Sequence, residues 1–211
     1  MAQIVPTVTA FEPHEYRVQM ERVAAFAGRV HIDLMDGEFA PSVSPALSQI
    51  WWPHHVRADI HLMYKKPMEY LEQLIALSPH MVIVHNEAEV HHMHFAAELH
   101  KHNIKTGLAI LQDTPVAYAE QVMHSYDHVL VFSGDLGYHG GTADTALLPK
   151  VKEIKAHHPE VEIGWDGGIN DSNAPQLVKA GVEVLNVGGF IQNADDPQRA
   201  YGKLVGKKSE R

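Results

Sequence analysis

Two stretches, VHIDLMDGEF from Val30 to Phe39 and DIHLMY from Asp59 to Tyr64, set histidine and aspartate among the Ile, Leu, Val and Met of buried strands. Side chains alternate faces along a strand, so His31, Asp33 and Met35 share one face while Ile32, Leu34 and Asp36 share the other. The same alternation groups Asp59, His61 and Met63. In EIGWDGG, Gly164 and Asp166 fall in phase, just ahead of Gly167 and Gly168. Burying even one unpaired carboxylate costs several kcal/mol after relaxation. A divalent cation shared by His31, Asp33, His61 and Asp166 relieves that cost. Two imidazoles and two carboxylates suit zinc, iron(II), manganese or cobalt. The chain has no cysteine, which removes thiolate ligands and any disulfide framework.

Other polar residues have plainer readings. His85 in VIVHNEA reads as a hydrogen-bonded core histidine, and Asp36 before Gly37 as a turn or cap residue. Most of the seventeen histidines scatter beside charged residues, at His54 and His55, in HHMH from His91, in HKH from His100, and at His157 and His158. A metal-storage tract needs a dense run, so these read as solvated surface.

The elements that must position the buried set follow a regular beat. Eight apolar runs, QIVPTVTA, RVHIDLMD, ADIHLMY, HMVIVHNEA, TGLAILQ, HVLVFSG, VEIGWDGG and EVLNVGG, alternate with amphipathic segments. Tyr16, Met20, Val23, Ala24 and Ala27 keep helical spacing, as do Leu147, Leu148, Val151 and Ile154. NDSNAP reads as the start of a helix running through Leu177 to Ala180, with Gly181 just past its end. Strands joined this way are parallel, because a hairpin cannot reach a parallel neighbour. Eight such units in 211 residues predict a compact α/β fold, a (β/α)8 TIM barrel in one domain over residues 1–211. A doubly wound open sheet is the alternative.

Composition narrows the partners. The formal net charge is −9 with no basic block, which argues against nucleic-acid surfaces and anionic membranes. No apolar run approaches the roughly 20 residues that span a bilayer, and MAQIVPTVTAFEP lacks a basic segment followed by a long apolar one. A soluble, cytoplasmic protein is expected.

The blocks HIDLMDGEFAPS, DIHLMYKKPMEYL, VIVHNEA, GLAILQDTPV and WDGGINDSNAPQLVKAGVEVLNVGGFI occur in an order and spacing that resembles the ribulose-phosphate 3-epimerase family, from Ile4 to about Tyr201. That resemblance implies one divalent metal ion on His31, Asp33, His61 and Asp166. It also implies that Asp33 and Asp166 are an acid-base pair on opposite faces of a ketose phosphate. The implied reaction is inversion at C3, between D-ribulose 5-phosphate and D-xylulose 5-phosphate, in the pentose phosphate pathway. The implied substrate contacts are Thr7, His61, Gly137, Gly140, Gly141, Gly167, Gly168, Gly188 and Gly189. The glycines after the last strands fit backbone N–H groups turned to a phosphate. GDLGYHGGT, from Gly134 to Thr142, resembles the family's covering loop. Met35 and Met63 fit a dry, polarizable wall, as they fit ordinary core. The expected partners are a small ketose phosphate and further copies of the chain.

Some positions depart from the family pattern. Thr7 stands where a serine follows the first-strand proline, Phe132 where a methionine is usual, Trp165 where a smaller residue precedes the aspartate, and Gly189 where serine is common. The covering loop usually reads Val-Glu-Pro-Gly-Phe-Gly-Gly. Here it reads Gly134, Asp135, Leu136, Gly137, Tyr138, an additional His139, Gly140 and Gly141. Two alternatives keep the site: 3-epimerisation of a hexulose phosphate such as allulose 6-phosphate, or sugar-phosphate binding without catalysis. A third, the decarboxylase and hexulose-phosphate synthase branch, uses Asp-x-Lys-x-x-Asp, whose lysine position here holds Met35.

Overall fold

A computed structural model describes residues 2–138 and 140–206, so His139, the additional residue of the covering loop, lies outside the described residues. Eight parallel strands close into a barrel in chain order: β1 (Gln3–Thr9), β2 (Arg29–Met35), β3 (Arg57–Met63), β4 (Met81–His85), β5 (Lys105–Ile110), β6 (His128–Phe132), β7 (Glu162–Asp166) and β8 (Val184–Val187). All eight apolar runs form strands, and the ring closes where Ile4 pairs with Leu185 and Val5 with Asn186. The helices are α1 (Pro13–Ala24), α2 (Leu71–Leu77), α3 (His92–Lys101), α4 (Val116–Met123), α5 (Leu148–His157), α6 (Ala174–Ala180), α7 (Gly189–Gln192) and α8 (Pro197–Leu204). The TIM-barrel expectation therefore holds. No described helix is long and apolar enough to cross a membrane.

Helical spacing correctly placed the faces that meet the barrel. α1 buries Tyr16, Met20, Val23 and Ala24, and α5 buries Val151 and Ile154. α6 ends at Gly181, whose φ of 111° suits the left-handed stop that glycine provides. One crossover departs from strict alternation, because residues 36–56 connect β2 to β3 without a helix. Leu47, Ile50 and Val56 from that segment join the outer core, and the Tyr16 hydroxyl donates to the Trp51 carbonyl at 2.6 Å. Apolar burial there replaces what a helix face supplies elsewhere.

The outward face of each strand belongs to this main core, with Ile32, Leu34, Ile60, Leu62, Val82, Val84 and Trp165 all fully buried. Inside the barrel the filling is divided. Met81, Ile83, Ala109 and Leu130, from β4, β5 and β6, form an apolar plug. Gly107 leaves room for Ile83, since a Cβ there would lie 2.7 Å from its Cγ1. The polar residues of the interior fall into two tiers.

At the amino ends of the strands, Arg29 Nε donates to Asp59 Oδ2 at 2.6 Å, Nη1 to Gln3 Oε1 at 2.9 Å and Nη2 to Glu162 Oε2 at 3.3 Å. His128 Nδ1 lies 2.8 Å from the same Glu162 oxygen. Burial opposes charge on Arg29, but Asp59 and Glu162 outweigh it and raise its pKa. These partners make the lower tier an ionic plug, buried at Arg29 and Asp59 and open to solvent at Glu162. The upper tier holds the histidines and aspartates singled out above.

Candidate active site and metal centre

Strand register brings the four residues together. Thr7 pairs with His31 and Thr9 with Asp33 across β1 and β2, Asp33 pairs with His61 across β2 and β3, and Asp166 ends β7. All four of His31, Asp33, His61 and Asp166 are buried, and one ligand atom from each falls within 4.8 Å of the others. His61 Nδ1 lies 3.0 Å from Asp33 Oδ1 and 3.7 Å from Asp166 Oδ2. His31 Nε2 lies 3.2 Å from Asp33 Oδ1 and 3.5 Å from Asp166 Oδ2. The His31 contacts are close but unaligned, since neither of its ring nitrogens has a hydrogen-bond partner.

Electrostatics couple these groups to one another. Burial pulls the His31 pKa down, but Asp166 and Asp33 more than offset it and hold the imidazolium up to about 10. Burial raises the Asp33 carboxyl, yet His31 and His61 outweigh burial and hold it well below the usual carboxylate range. Thr9 Oγ1 adds a hydrogen bond to Asp33 Oδ2 at 2.6 Å.

The same donors could hold a divalent cation. Ligands about 2.0–2.2 Å from one ion stand roughly 2.8–3.6 Å apart along a tetrahedral or octahedral edge; three of the four imidazole–carboxylate separations fall in that range and the fourth, 3.7 Å, lies just beyond it. His31 Nε2, unsatisfied and set between two carboxylates, is the kind of atom an ion would engage. Two nitrogens and two oxygens suit zinc, iron(II), manganese or cobalt, without selecting among them.

His85, read from sequence as a core histidine, is hydrogen-bonded and fully buried, but its partner is His61: the two Nε2 atoms lie 2.8 Å apart. Burial lowers the His85 pKa to about 4, so the ring is neutral. Its Nδ1 faces Glu87 Oε2 at 3.5 Å. With a divalent ion on His61 Nδ1, the ring proton would sit on Nε2 and point at His85 Nε2, a contact that would fix the tautomer and orientation of the ligand ring. His85→Ala is therefore expected to weaken divalent-metal affinity by roughly 10- to 100-fold while leaving every ligand in place. Titration with a competing chelator checks this, and unchanged affinity would count against the relay.

Above the four residues opens a cleft of about 290 Å³, at the small end of the roughly 300–1,000 Å³ typical of small-molecule sites. Asp33, Asp166, Thr7, Thr9, Met63 and Phe132 line it, as do Gly140, Gly141, Gly167, Gly168, Gly188 and Gly189. Of the sequence-derived contact residues, His61 lies beneath the cleft and Gly137 lies outside it, packed on Pro41. Met35 is also outside, clustered with Met63, Ala40, Phe39 and Leu136. Gly167 and Gly168 have φ of +110° and +67°, and a Cβ on either would collide with backbone of residues 133–134 or 142–143. Close backbone approach at the β7 corner thus requires both glycines. Trp165 does not enter the cleft; it is buried on the outer face, with Nε1 donating to the Gly167 carbonyl at 3.3 Å. Asp36 is the turn residue expected, accepting from Glu38 N, Phe39 N and Lys65 N.

Sequence reasoning missed Asn186, which lines the cleft from β8 in register with Asp166. A signal was present: an amide in the apolar run VLNV, in phase with the inner face.

The family model described as the ribulose-phosphate 3 epimerase family matches residues 3–191. The chain belongs to the ribulose-phosphate 3-epimerase family. It is similar to the ribulose-phosphate 3-epimerase of Bacillus subtilis, with 31% identity covering 85% of this chain and 86% of the relative. Against the ribulose-phosphate 3-epimerase of Schizosaccharomyces pombe the identity is 25%, over 96% and 92% of the two chains. Among solved structures, 3-hexulose-6-phosphate synthase from Salmonella typhimurium superposes with a TM-score of 0.70 at 15% identity, covering 98% of this chain and all of that one. That likeness establishes the fold alone. Membership of an epimerase family makes the protein an isomerase, in agreement with the enzyme class that the sequence implied.

Proposed function

We propose that the protein inverts C3 of a ketose phosphate, with D-ribulose 5-phosphate and D-xylulose 5-phosphate as the natural pair. The observation that carries this reading is the placement of Asp33 and Asp166, from β2 and β7, in one cleft and against the same two imidazoles. In this mechanism Asp33 removes the C3 proton on one face, and Asp166 delivers a proton to the other. One carboxylate alone would return the proton to the face it left, so inversion needs two. A divalent cation held by His31, Asp33, His61 and Asp166 would supply Lewis-acid stabilisation of the negative charge that develops beside C3. Thr9 holds Asp33 in orientation through its hydroxyl, and Phe132 and Met63 exclude water from the reacting face.

Among the described residues no lysine or arginine lines the cleft. The substrate phosphate is therefore assigned to backbone N–H groups of the glycine-lined wall, at Gly140, Gly141, Gly167, Gly168, Gly188 and Gly189. In this reading residues 1–211 are one catalytic domain that works in the cytoplasm as a homo-oligomer; family membership supports it.

A panel of pentulose and hexulose phosphates, assayed for C3 epimerisation by metal-reconstituted protein, tests the substrate. D-Ribulose 5-phosphate is expected to give the highest kcat/KM. A hexulose phosphate in first place would reassign the substrate, and no turnover of any ketose phosphate would overturn the reaction. Protein purified without chelator is expected to carry one divalent ion per chain, which His31→Ala and His61→Ala lose on dialysis. Elemental analysis reads this out, and fully active metal-free protein would refute the metal assignment.

A further inference from the structure

Two residues of the cleft wall carry buried oxygens that the protein leaves unsatisfied. Asn186 Oδ1 and Thr7 Oγ1 are buried with no hydrogen-bond partner, in residues only 2% and 3% exposed, and both residues line the cleft. An unmade hydrogen bond at a buried polar atom costs about 1–3 kcal/mol, and the great majority of such atoms in folded proteins find partners. A barrel interior accepts Val or Leu at such a position without that cost. Asn186 therefore asks for a partner that the folded chain does not supply.

We infer that Asn186 is a specificity-determining residue that hydrogen-bonds an uncharged hydroxyl of the ketose phosphate away from the reacting carbon; this rests on the epimerase reading given above. Two features select a hydroxyl. An amide both donates and accepts, as a sugar hydroxyl does, whereas a phosphate or carboxylate only accepts. Asn186 also pairs in register with Asp166, so it adds a polar contact there without placing a second charge beside a carboxylate that must exchange a proton. Thr7 Oγ1, on the adjoining strand β1, supplies a second neutral group to the same wall. A site built to bond a substrate hydroxyl rejects an analogue that lacks it, because its own buried group is then left unpaired.

The test compares wild type with Asn186→Leu, which keeps the side-chain shape and removes the polar atoms. Each protein is assayed on D-ribulose 5-phosphate and on its 1-deoxy and 4-deoxy analogues, the two that lack a non-reacting hydroxyl. Wild type is expected to disfavour one deoxy analogue by at least about tenfold in kcat/KM. Asn186→Leu should lose roughly 10- to 100-fold on the parent sugar while scarcely changing on that analogue, so that the discrimination disappears. If the leucine variant fails to fold, Asn186→Val, suited to a strand, is expected to give the same selective loss. An equal loss on all three substrates, no loss on the parent, or a wild type indifferent to both missing hydroxyls would overturn the inference while leaving the epimerase reading intact. A wild type that turns over no ketose phosphate would bring down both.

Discussion

Asp166→Asn is expected to lower turnover by ~10²–10⁴, the usual cost of losing a general acid or base. Asparagine nearly matches aspartate in shape and keeps an oxygen that could face an ion held by the cluster, so ligand binding should largely survive. It cannot exchange a proton on its side of the sugar. The remaining carboxylate, Asp33, should still remove the C3 proton slowly from the epimer that presents it, and solvent deuterium would then enter that epimer without inversion. Asp33→Asn is expected to show the opposite preference. NMR of each epimer incubated in deuterated buffer distinguishes the two variants. A single variant that inverts C3 near the wild-type rate would exclude the two-carboxylate mechanism.

The largest effect on stability is expected at the opposite end of the barrel. Arg29→Met removes the cation that neutralises Asp59 and Glu162, and Asp59 is almost wholly buried, with Oδ1 already lacking a partner. Breaking a buried ion pair on one side costs about 3–5 kcal/mol, because the surviving charge has no solvent to return to. Replacing both members with apolar residues of similar volume is often neutral, so adding Asp59→Leu to Arg29→Met should restore much of the loss. Urea unfolding of the two single variants and the double variant measures this. A loss below about 1 kcal/mol in Arg29→Met, the range of exposed pairs, would mean that water reaches the plug.

The barrel was legible because its two periodicities are strong: alternation in strands such as RVHIDLM, and the Tyr16, Met20, Val23 spacing on α1. The four clustered residues were legible for a related reason, since charge on the inner face of a strand contradicts its surroundings and demands a partner. The helix-free crossover between β2 and β3 was harder to see, because Leu47, Ile50 and Val56 bury without helical spacing. His85 was read as core, and it is; no pattern along the chain places its Nε2 against His61, since that contact depends on how two neighbouring strands align. The lower tier escaped for the same reason. Arg29, Asp59 and Glu162 lie far apart in the chain, and only closure of the ring brings them together.

That closure has a consequence for how the chain reaches its native state. The guanidinium of Arg29 is shared among Gln3 on β1, Asp59 on β3 and Glu162 on β7, partners 26, 30 and 133 residues away along the chain. Fragments ending before β7 would hold this arginine in a partly formed wall with one carboxylate missing, and fragments beginning after β3 would leave Glu162 without it. Neither half of the barrel is electrostatically complete, so the final strands act as a keystone: the ionic plug contributes its full stabilisation only once the ring has closed, which links the two ends of the sequence into one cooperative unit.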